Sequence, residues 1–380
     1  MTSRGLLSCV LALAPAVTSQ GDQAELVDQG ALRAAVSRFA ESVDQDHVLG
    51  AVLMVTQGDR VLVHEALGHR DVARRRPMQQ DTLFRMASNT KAVTAAAVLS
   101  LVDQGKVALD APISKWFSTF DGGRGREVTI RQLLTHSSGL RIPTLFVYPL
   151  TAKSDEHPDA PNLVMECARF GAIGPDAAPG ETYRYSNPGY NLLAGVVELA
   201  SGQPFADYCA ARFYEPLRMT DSCHHETVAN NDRMSAVVKE QADGGWSVRW
   251  RPHGPPTVPF VRGSGGMIST AADFERFARL FLDGGARGAL QLLAPASVQA
   301  ATRDQIPHIE AERYGFGWRI TDWGFSHSGS DGTYAWCAPD RDLVGLVFTQ
   351  TQTTKALTKA RQRFREDVLA AVTPSAGAGR

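Results

Sequence analysis

Ser88 and Lys91 are the two residues whose types and spacing most directly suggest chemistry. They are three residues apart at the start of a strongly helical segment over 88–104, so they would share one helix face. The free N–H groups and positive dipole end of a helix start favour negative charge on a nearby oxygen. A neutral Lys can take the Ser proton, and a charged one lowers the hydroxyl pKa. The pair predicts a nucleophilic serine, although an ordinary N-cap and a surface lysine would give the same pattern.

A second candidate pair, Tyr185 and Asn187, follows 97 residues after Ser88 and immediately precedes a predicted helix. Alternate residues of an extended segment point to the same side. Close to an ammonium group, we expect the Tyr185 hydroxyl to have a reduced pKa, and to act as a base toward Ser88 or as an acid toward the leaving group. Asn187 could donate a hydrogen bond to a substrate carbonyl. The alternative is a packed Tyr and an N-capping Asn.

A third candidate segment, His327 to Ser330, lies between two β-like runs near the end of the chain. Gly329 would let a ligand approach an edge strand closely. His327 could hydrogen-bond to a group in the site or polarise it. The alternative is a structural histidine whose hydrogen bonds are satisfied internally.

The elements that must position these residues follow from the hydrophobic pattern. Runs over 50–56 and 60–65 flank a Gly-Asp turn and predict an antiparallel hairpin. Further β-like runs are predicted near the C-terminus, over 316–321, 333–338 and 343–349. Helices are predicted over 24–44, 88–104, 129–135, 161–170, 187–200, 204–213, 271–282 and 353–372, whereas 240–262 reads as irregular.

Strands at both ends and helices in the middle predict an α/β fold of the α+β type. We expect one antiparallel sheet, built from both chain ends and flanked by helices, with an inserted, mainly helical domain. The predicted division is a sheet domain of 21–86 plus 261–373, a helical domain of 87–260 and a loose tail of 374–380.

Composition excludes several classes of function. The chain has 380 residues, with 39 Lys+Arg against 40 Asp+Glu and a net charge of −1. A nucleic-acid-binding protein would normally show a basic face, so we expect no nucleic-acid partner. A hydrophobic content of 43% and this length predict a globular protein with a large core, arranged as one large domain or two intimate ones.

The N-terminus predicts export. Arg4 precedes an apolar stretch that contains Ala14 and Ala16, the pattern of a secretory signal peptide. We expect residues 1–20 to be that signal and the protein to be periplasmic or secreted, the alternative being an unprocessed N-terminus. Lipidation at Cys9 is disfavoured because little apolar sequence precedes it. No other run reaches the ~18 apolar residues of a transmembrane helix, so we expect no stable membrane span.

Other reactive residues give weaker signals. The remaining cysteines are widely spaced, so we expect either one disulfide or separately buried thiols at Cys167, Cys209, Cys223 and Cys337. Adjacent histidines do not share a helix face, so His224-His225-Glu226 predicts a solvent loop rather than a metal site. Arg74-Arg75-Arg76 next to Pro77 predicts a solvated turn. We expect no metal.

Taken together, three motifs make the sequence resemble the penicillin-recognising serine hydrolases. The nearest branch comprises class C β-lactamases, family VIII carboxylesterases and D-alanyl-D-alanine carboxypeptidases or D-aminopeptidases. The motifs, in order, are Ser88-x-x-Lys91, Tyr185-x-Asn187 and His327-x-Gly329. The segments 130–140, 265–273 and 314–318 are also similar to that branch, and the resemblance runs from about residue 30 to about residue 370.

The resemblance implies a β-lactamase/transpeptidase-like fold and an acyl-enzyme formed on Ser88. Lys91 and Tyr185 would share the proton transfers, and the backbone N–H groups of Ser88 and Ser330 would form the oxyanion hole. Neither a metal nor an organic cofactor is implied. The substrate would be a small ester, amide or peptide.

The third motif narrows the implied activity. The β-lactamases of this branch carry Lys-Thr-Gly, whereas this chain has His327-Ser328-Gly329. A His there is seen in relatives that act as peptidases and esterases. The sequence therefore predicts a carboxylesterase first, with a D-Ala-D-Ala carboxypeptidase, a D-aminopeptidase or a weak β-lactamase as alternatives. A non-catalytic ligand-binding relative is the alternative from another class, and the full Ser88, Lys91 and Tyr185 set argues against it.

Overall fold

The computed structural model describes residues 27–225, 232–242 and 244–374. The helices are α1 Gln29–Asp44, α2 Thr90–Asp103, α3 Ile130–Leu134, α4 Leu163–Ile173, α5 Asn187–Ser201, α6 Phe205–Cys209, α7 Ala271–Arg279, α8 Pro295–Ala301 and α9 Lys355–Ala371. The strands are β1 Gly50–Gln57, β2 Arg60–Gly68, β3 Phe84–Arg85, β4 Cys223–His224, β5 Val237–Glu240, β6 Trp246–Trp250, β7 Met267–Ser269, β8 Ala286–Arg287, β9 Leu290–Gln291, β10 Arg319–Thr321, β11 Gly324–Ser328, β12 Tyr334–Ala338 and β13 Leu343–Thr349. Short 3-10 turns lie at Ala87–Asn89, Ile113–Lys115, Ser118–Phe120, Gly123–Glu127 and Pro339–Arg341, and a π-helical turn follows α6 at Ala210–Tyr214.

A six-stranded antiparallel sheet joins the two ends of the chain, in the order β10-β11-β12-β13-β1-β2. Strand β1 lies between β13 and the edge strand β2, with Leu53 opposite Val347 on one side and Glu65 on the other. Because side chains alternate along a strand, Leu53 packs under α1 and α9 while Met54 packs toward α2 and α7. This architecture confirms the predicted α+β fold with a sheet built from both ends. The predicted domain boundaries stay a prediction.

Helix α2 runs through the middle of the core and carries the nucleophile region. Its residues from Thr90 to Leu101 are all buried, as expected for a helix that is apolar on every side. The predicted helix over 88–104 is two elements, because Ala87–Asn89 forms a 3-10 turn before α2 begins at Thr90. Ser88 therefore sits on a tight turn, next to Ala87 with its left-handed φ of 46°.

Other predicted elements are present with shifted ends. The N-terminal helix begins at Gln29 rather than 24, and the run over 316–321 is a strand only from Arg319. The latter is shortened because Gly317 has a φ of +80° and packs against the α2 backbone, where a Cβ would lie 2.9 Å from Lys91 O. The segment 240–262, predicted to be irregular, contains β6, which pairs with β5.

The predicted solvent loop at His224 and His225 is wrong. Both side chains are buried, at 6% and 7% exposure. His224 stacks on Tyr214 and its Nδ1 lies 3.2 Å from the Tyr214 hydroxyl, while His225 Nε2 lies 2.7 Å from Val258 O. The sequence signal failed because β4 is a two-residue strand held in a sheet with β3 and β7, and no periodicity marks so short an element.

The arginine turn, the cysteines and the chain ends complete the comparison with the sequence predictions. Arg74, Arg75 and Arg76 are exposed, as predicted. Among the described residues, Cys167, Cys209 and Cys337 are buried free thiols, and Cys223 is half-buried. The predicted signal at 1–20 and the tail after Pro374 lie outside the described residues.

Candidate active site

Ser88 and Lys91 are in contact. Lys91 Nζ lies 3.1 Å from Ser88 Oγ, 2.8 Å from Asn187 Oδ1 and 2.7 Å from Ser264 O. The amide oxygen and the carbonyl oxygen can only accept hydrogen bonds. A neutral amine has two N–H groups and one lone pair, so donation to those two oxygens leaves the lone pair facing the Ser88 hydroxyl.

The surroundings of Lys91 favour that neutral form. The side chain is fully buried. Burial lowers the pKa of Lys91 well below its usual range, and the nearby positive charge of Arg262 lowers it further. The structure therefore places a proton acceptor beside the Ser88 hydroxyl.

Tyr185 also lies close to Ser88 and Lys91. Ser88 is close enough to the Tyr185 hydroxyl to lower its pKa, and Lys91 Nζ lies 4.7 Å from the centre of the Tyr185 ring. Although 39% of the residue is exposed, the hydroxyl end is enclosed, and burial raises its pKa to about 12. The expectation of a reduced Tyr185 pKa is therefore wrong, because desolvation of the phenolate outweighs the lowering of the pKa by Ser88 and Arg319.

Asn187 begins α5 but is not its cap. Ser186 is the N-cap, with its Oγ accepting a hydrogen bond from Gly189 N–H at 3.1 Å, and Pro188 follows at a position where a missing N–H costs nothing. Asn187 Oδ1 is used by Lys91. Hydrogen bonding to a substrate is thereby left to the amide nitrogen of Asn187.

Gly329 of the third motif packs against the start of the 3-10 turn Ala87–Asn89, which carries Ser88. A Cβ on Gly329 would lie 2.6 Å from Met86 O and 2.4 Å from Thr333 Oγ1, so a side chain would force β11 away from the turn. Thr333 Oγ1 donates to Met86 O at 3.0 Å and accepts from Asn89 Nδ2 at 2.9 Å. These hydrogen bonds tie Thr333, immediately before β12, to Met86 and Asn89, which lie on either side of Ser88 in the sequence.

His327 belongs to β11, but its side chain is buried and does not line the cleft at Ser88. It is 2% exposed, and its Nδ1 lies 3.0 Å from Ser328 O, which can only accept, so Nδ1 carries the proton. Its Nε2 then accepts from the Tyr314 hydroxyl at 3.1 Å. Burial, with Lys91 and Arg319 nearby, lowers the His327 pKa to about 3. Both ring nitrogens are thus engaged inside the protein, and a direct role in substrate binding stays a prediction.

A cleft of about 220 Å³ opens onto Ser88. Ser330 and Asn187 share its wall with Ser88, so all three motifs contribute to one cavity. Its other lining residues are Arg85, Ala87, Leu145, Thr257, Arg262, Ser264, Gly265, Gly266, Met267, Ile268 and Asp331.

An aromatic cluster behind Tyr185 was not assigned a role from the sequence. His136 packs against four tyrosine rings, with centroid distances between 4.3 and 5.8 Å. These are Tyr183, Tyr185, Tyr190 and Tyr314. His136 and Tyr314 lie in segments that carried the family resemblance, which was the signal available for finding them.

The described segments contain neither a candidate metal cluster nor a candidate membrane-spanning helix. Among residues 27–225, 232–242 and 244–374, no group of three or more His, Cys, Asp or Glu side chains could hold a metal ion. None of the helices in these segments is long and apolar enough to cross a membrane.

Known proteins share both the sequence pattern and the fold. The profile of the Beta-lactamase family matches residues 35–370. Esterase EstB of Burkholderia gladioli is 34% identical over 308 residues, which cover 74% of this chain and 76% of EstB. Penicillin-binding protein 4 of Amycolatopsis lactamdurans is 29% identical over 333 residues, covering 82% and 83% of the two chains. The structure of EstCE1, described as a hydrolase with promiscuous acyltransferase activity, superposes with a TM-score of 0.74 at 20% identity, over 90% of this chain and 99% of EstCE1.

Fold and sequence together define a serine hydrolase of the β-lactamase and penicillin-binding protein superfamily. The chain belongs to the Beta-lactamase family. The resemblance inferred from the three motifs is thereby confirmed.

Proposed function

We propose that the protein is a carboxylesterase that hydrolyses small acyl esters through an acyl-Ser88 intermediate. The observation that carries the proposal is the set of three contacts around Lys91 Nζ. Two acceptor-only oxygens take its N–H groups, and the third contact is the Ser88 hydroxyl at 3.1 Å. A buried amine held this way is a general base aimed at one proton.

Acylation begins when Lys91 takes the Ser88 proton as Ser88 Oγ attacks the ester carbonyl carbon. The backbone N–H groups of Ser88 and Ser330, which line the same cleft, are the proposed donors to the resulting oxyanion. Tyr185, protonated because its pKa is about 12, donates its proton to the departing alkoxide. The Lys91 ammonium then returns a proton to the Tyr185 oxygen, and an alcohol leaves.

Deacylation repeats the transfers with water. A water molecule attacks the acyl carbon as it loses a proton to the Tyr185–Lys91 pair, and the tetrahedral intermediate collapses as Ser88 Oγ leaves. Ser88 recovers a proton from the same pair, so the carboxylic acid is released and the site returns to its initial protonation state. The three residues therefore act as a unit, and removing one is expected to cost nearly as much as removing all.

The ester preference rests on two further supports. The third motif is His327-Ser328-Gly329, without the lysine that the β-lactamases of this branch carry. A relative of 34% identity is named an esterase. A peptidase that releases D-amino acids is the second candidate, favoured by the similarity to a penicillin-binding protein.

We also propose that the protein is exported, on the sequence of residues 1–20 alone. Expression of the full chain in a bacterium and fractionation of the cells tests this. Recovery of the protein, shortened at its N-terminus, outside the cytoplasm is the expected result. Recovery at full length in the cytoplasm would contradict it.

One pair of assays tests the catalytic proposal. Wild type and Ser88→Ala are treated with a fluorophosphonate probe and with p-nitrophenyl butyrate. We expect wild type to be labelled and to turn over the ester, and Ser88→Ala to lose both. Wild type that neither labels nor hydrolyses ester would contradict the esterase function. Acylation by labelled penicillin without ester turnover would favour the peptidase.

A further inference from the structure

His136 contacts the chain on both sides of Tyr185. Its carbonyl oxygen accepts the Arg184 N–H at 2.7 Å, and its ring Nδ1 accepts the Ser186 N–H at 3.0 Å. Its ring also lies against the Tyr185 ring, with centroids 4.3 Å apart and planes inclined by 36°. A single residue therefore fixes the residue before Tyr185, the residue after it and the tyrosine ring itself.

The imidazole is held in one protonation state. Because Nδ1 accepts from a backbone N–H, the ring proton is on Nε2. The side chain is 1% exposed. Burial, with the basic residues Lys91, His327 and Arg319 nearby, lowers the pKa of His136 well below its usual range. An imidazolium would set a second N–H against that of Ser186, so the neutral ring is the form compatible with this contact.

The backbone of His136 is in the left-handed region, which residues other than glycine rarely adopt. Its φ is 58°, and the preceding turn is fixed by the hydrogen bond from Ser137 N to Gln132 O at 2.8 Å. Strained backbone persists where the surrounding structure requires it, and it concentrates at functional sites. Here the strain directs both the carbonyl and the ring of one residue toward the Tyr185 segment.

We propose that His136 is a positioning residue that holds the Tyr185 hydroxyl against Ser88 through the Ser186 N–H contact. This inference rests on the proposed function of Tyr185 in proton transfer. A misplacement of about 1 Å in a reacting group can cost about 10²-fold in rate, so loss of the contact should appear in kcat. The competing explanation is packing alone, because the same ring also touches Tyr190 and Tyr314.

A double-mutant cycle separates the two explanations. His136→Leu removes the acceptor, and His136→Asn keeps an oxygen acceptor near the place of Nδ1 and tolerates positive φ. Each is made in wild type and in Tyr185→Phe, and kcat and KM for p-nitrophenyl butyrate are measured. If positioning of Tyr185 is the role, His136→Leu lowers kcat by about 10²-fold with little change in KM, and His136→Asn restores at least about tenfold of that loss.

The decisive comparison is made in the Tyr185→Phe background. We expect His136→Leu to lower kcat there by no more than about threefold, because no hydroxyl remains to be positioned. An undiminished loss in that background, or equal losses for Leu and Asn, would overturn the proposal in favour of packing. If His136→Leu does not fold, the cycle is run with His136→Asn, and an undiminished loss has the same meaning.

Failure of the proposed function can be distinguished from failure of this inference. If wild type does not hydrolyse the ester, the cycle is run on the rate at which the fluorophosphonate labels Ser88. That rate reports activation of Ser88 regardless of the substrate preferred. Labelling that falls with His136→Leu only when Tyr185 is present would support positioning even though the esterase proposal had failed.

Discussion

Lys91 and Arg279 are both buried basic residues, yet their surroundings differ. Lys91 is fully buried and Arg279 is 1% exposed. Lys91 contacts neutral oxygens of a serine, an asparagine and a backbone carbonyl. Arg279 instead contacts two carboxylates, with Nε 3.4 Å from Glu275 and one terminal nitrogen 2.5 Å from Asp342.

This difference explains why one residue can do chemistry and the other cannot. A buried cation with carboxylate partners keeps its charge, and a guanidinium does not deprotonate in any case. Arg279 also donates to Thr56 Oγ1 at 2.9 Å, so it ties α7 to β1 of the central sheet. A buried amine with only neutral acceptors, and with Arg262 nearby, has its pKa lowered and is available as a base.

Replacing Lys91 should give the largest effect. We expect Lys91→Met to lower kcat/KM for p-nitrophenyl butyrate by about 10³-fold or more, because the general base is lost while the fold is kept. Lys106→Met is the matched control, since it makes the same substitution at an exposed lysine just beyond α2. A Lys91→Met enzyme within about tenfold of wild type would show that Ser88 is activated by another group.

Replacing Arg279 should have the opposite consequence. We expect Arg279→Met to lower the free energy of unfolding by about 3–5 kcal/mol, because the buried Glu275 keeps the Thr56 hydroxyl as a donor but loses its cationic partner. In the folded enzyme kcat/KM should stay within about threefold of wild type, since the Arg279 network does not touch the cleft. Urea unfolding followed by tryptophan fluorescence measures the first, and the ester assay the second.

The control for this prediction lies on the same helix. Arg276 is paired with Asp273 at 2.6 Å, but its side chain is 41% exposed. Asp273 keeps hydrogen bonds from Asp221 N–H and from the Ser222 hydroxyl without it. Arg276→Met should therefore cost no more than about 1 kcal/mol. Equal losses for the two arginines would show that burial does not distinguish these ion pairs.

The Ser88-x-x-Lys91 and Tyr185-x-Asn187 motifs show how far the sequence can predict the site. Ser88 and Lys91 were predicted from spacing alone, because a separation of three residues places side chains together on any helical turn. Their meeting with Asn187 depends on packing between α2 and α5, and here it was the family resemblance that supplied the connection. The pKa directions could not be predicted, since they depend on burial that no local pattern encodes.

The elements of the fold also differ in whether the local sequence predicts them. Strand β13, Leu343–Thr349, was predicted with its observed ends because a continuous apolar run bounded by breaks specifies a buried strand. Strands β3, β4 and β7 are two or three residues long and form a sheet only through tertiary contacts. His224 was misplaced for that reason. His136 lies within the segment 130–140 that is similar to the family. No role was predicted for it, because its contacts with residues 184–186 are non-local.

The charge of Arg262 gives a smaller prediction about pH. Its positive charge lowers the pKa of Lys91, so Arg262→Gln should raise that pKa. Because catalysis needs neutral Lys91, the acid limb of the kcat/KM profile should move to higher pH. Arg251→Gln, at an exposed position, is the control and should leave the limb in place. A limb that stays in place or moves to lower pH in Arg262→Gln would assign it to a group other than Lys91.

The smallest effect expected is a change in how stability depends on pH. The folded-state pKa of Lys91 lies well below 10.5, the pKa of an unperturbed lysine. At pH values between the folded-state pKa and the unfolded-state pKa of Lys91, the unfolded chain binds one more proton than the folded chain. The wild-type free energy of unfolding therefore gains a contribution that rises with pH. Lys91→Met lacks this titration. Its Tm relative to wild type should therefore be most favourable near pH 7 and fall steadily as the pH approaches 10.

The same Tm series also tests the contrast with Arg279. Lys106→Met, at an exposed position, should show a constant Tm difference from wild type over that pH range, and so should Arg279→Met, because a guanidinium keeps its proton throughout. A constant difference for Lys91→Met would mean that Lys91 stays charged in the folded protein. In that case the neutral oxygens around it would be compensating a cation, as the carboxylates do for Arg279, and the base in the ester reaction would have to be Tyr185.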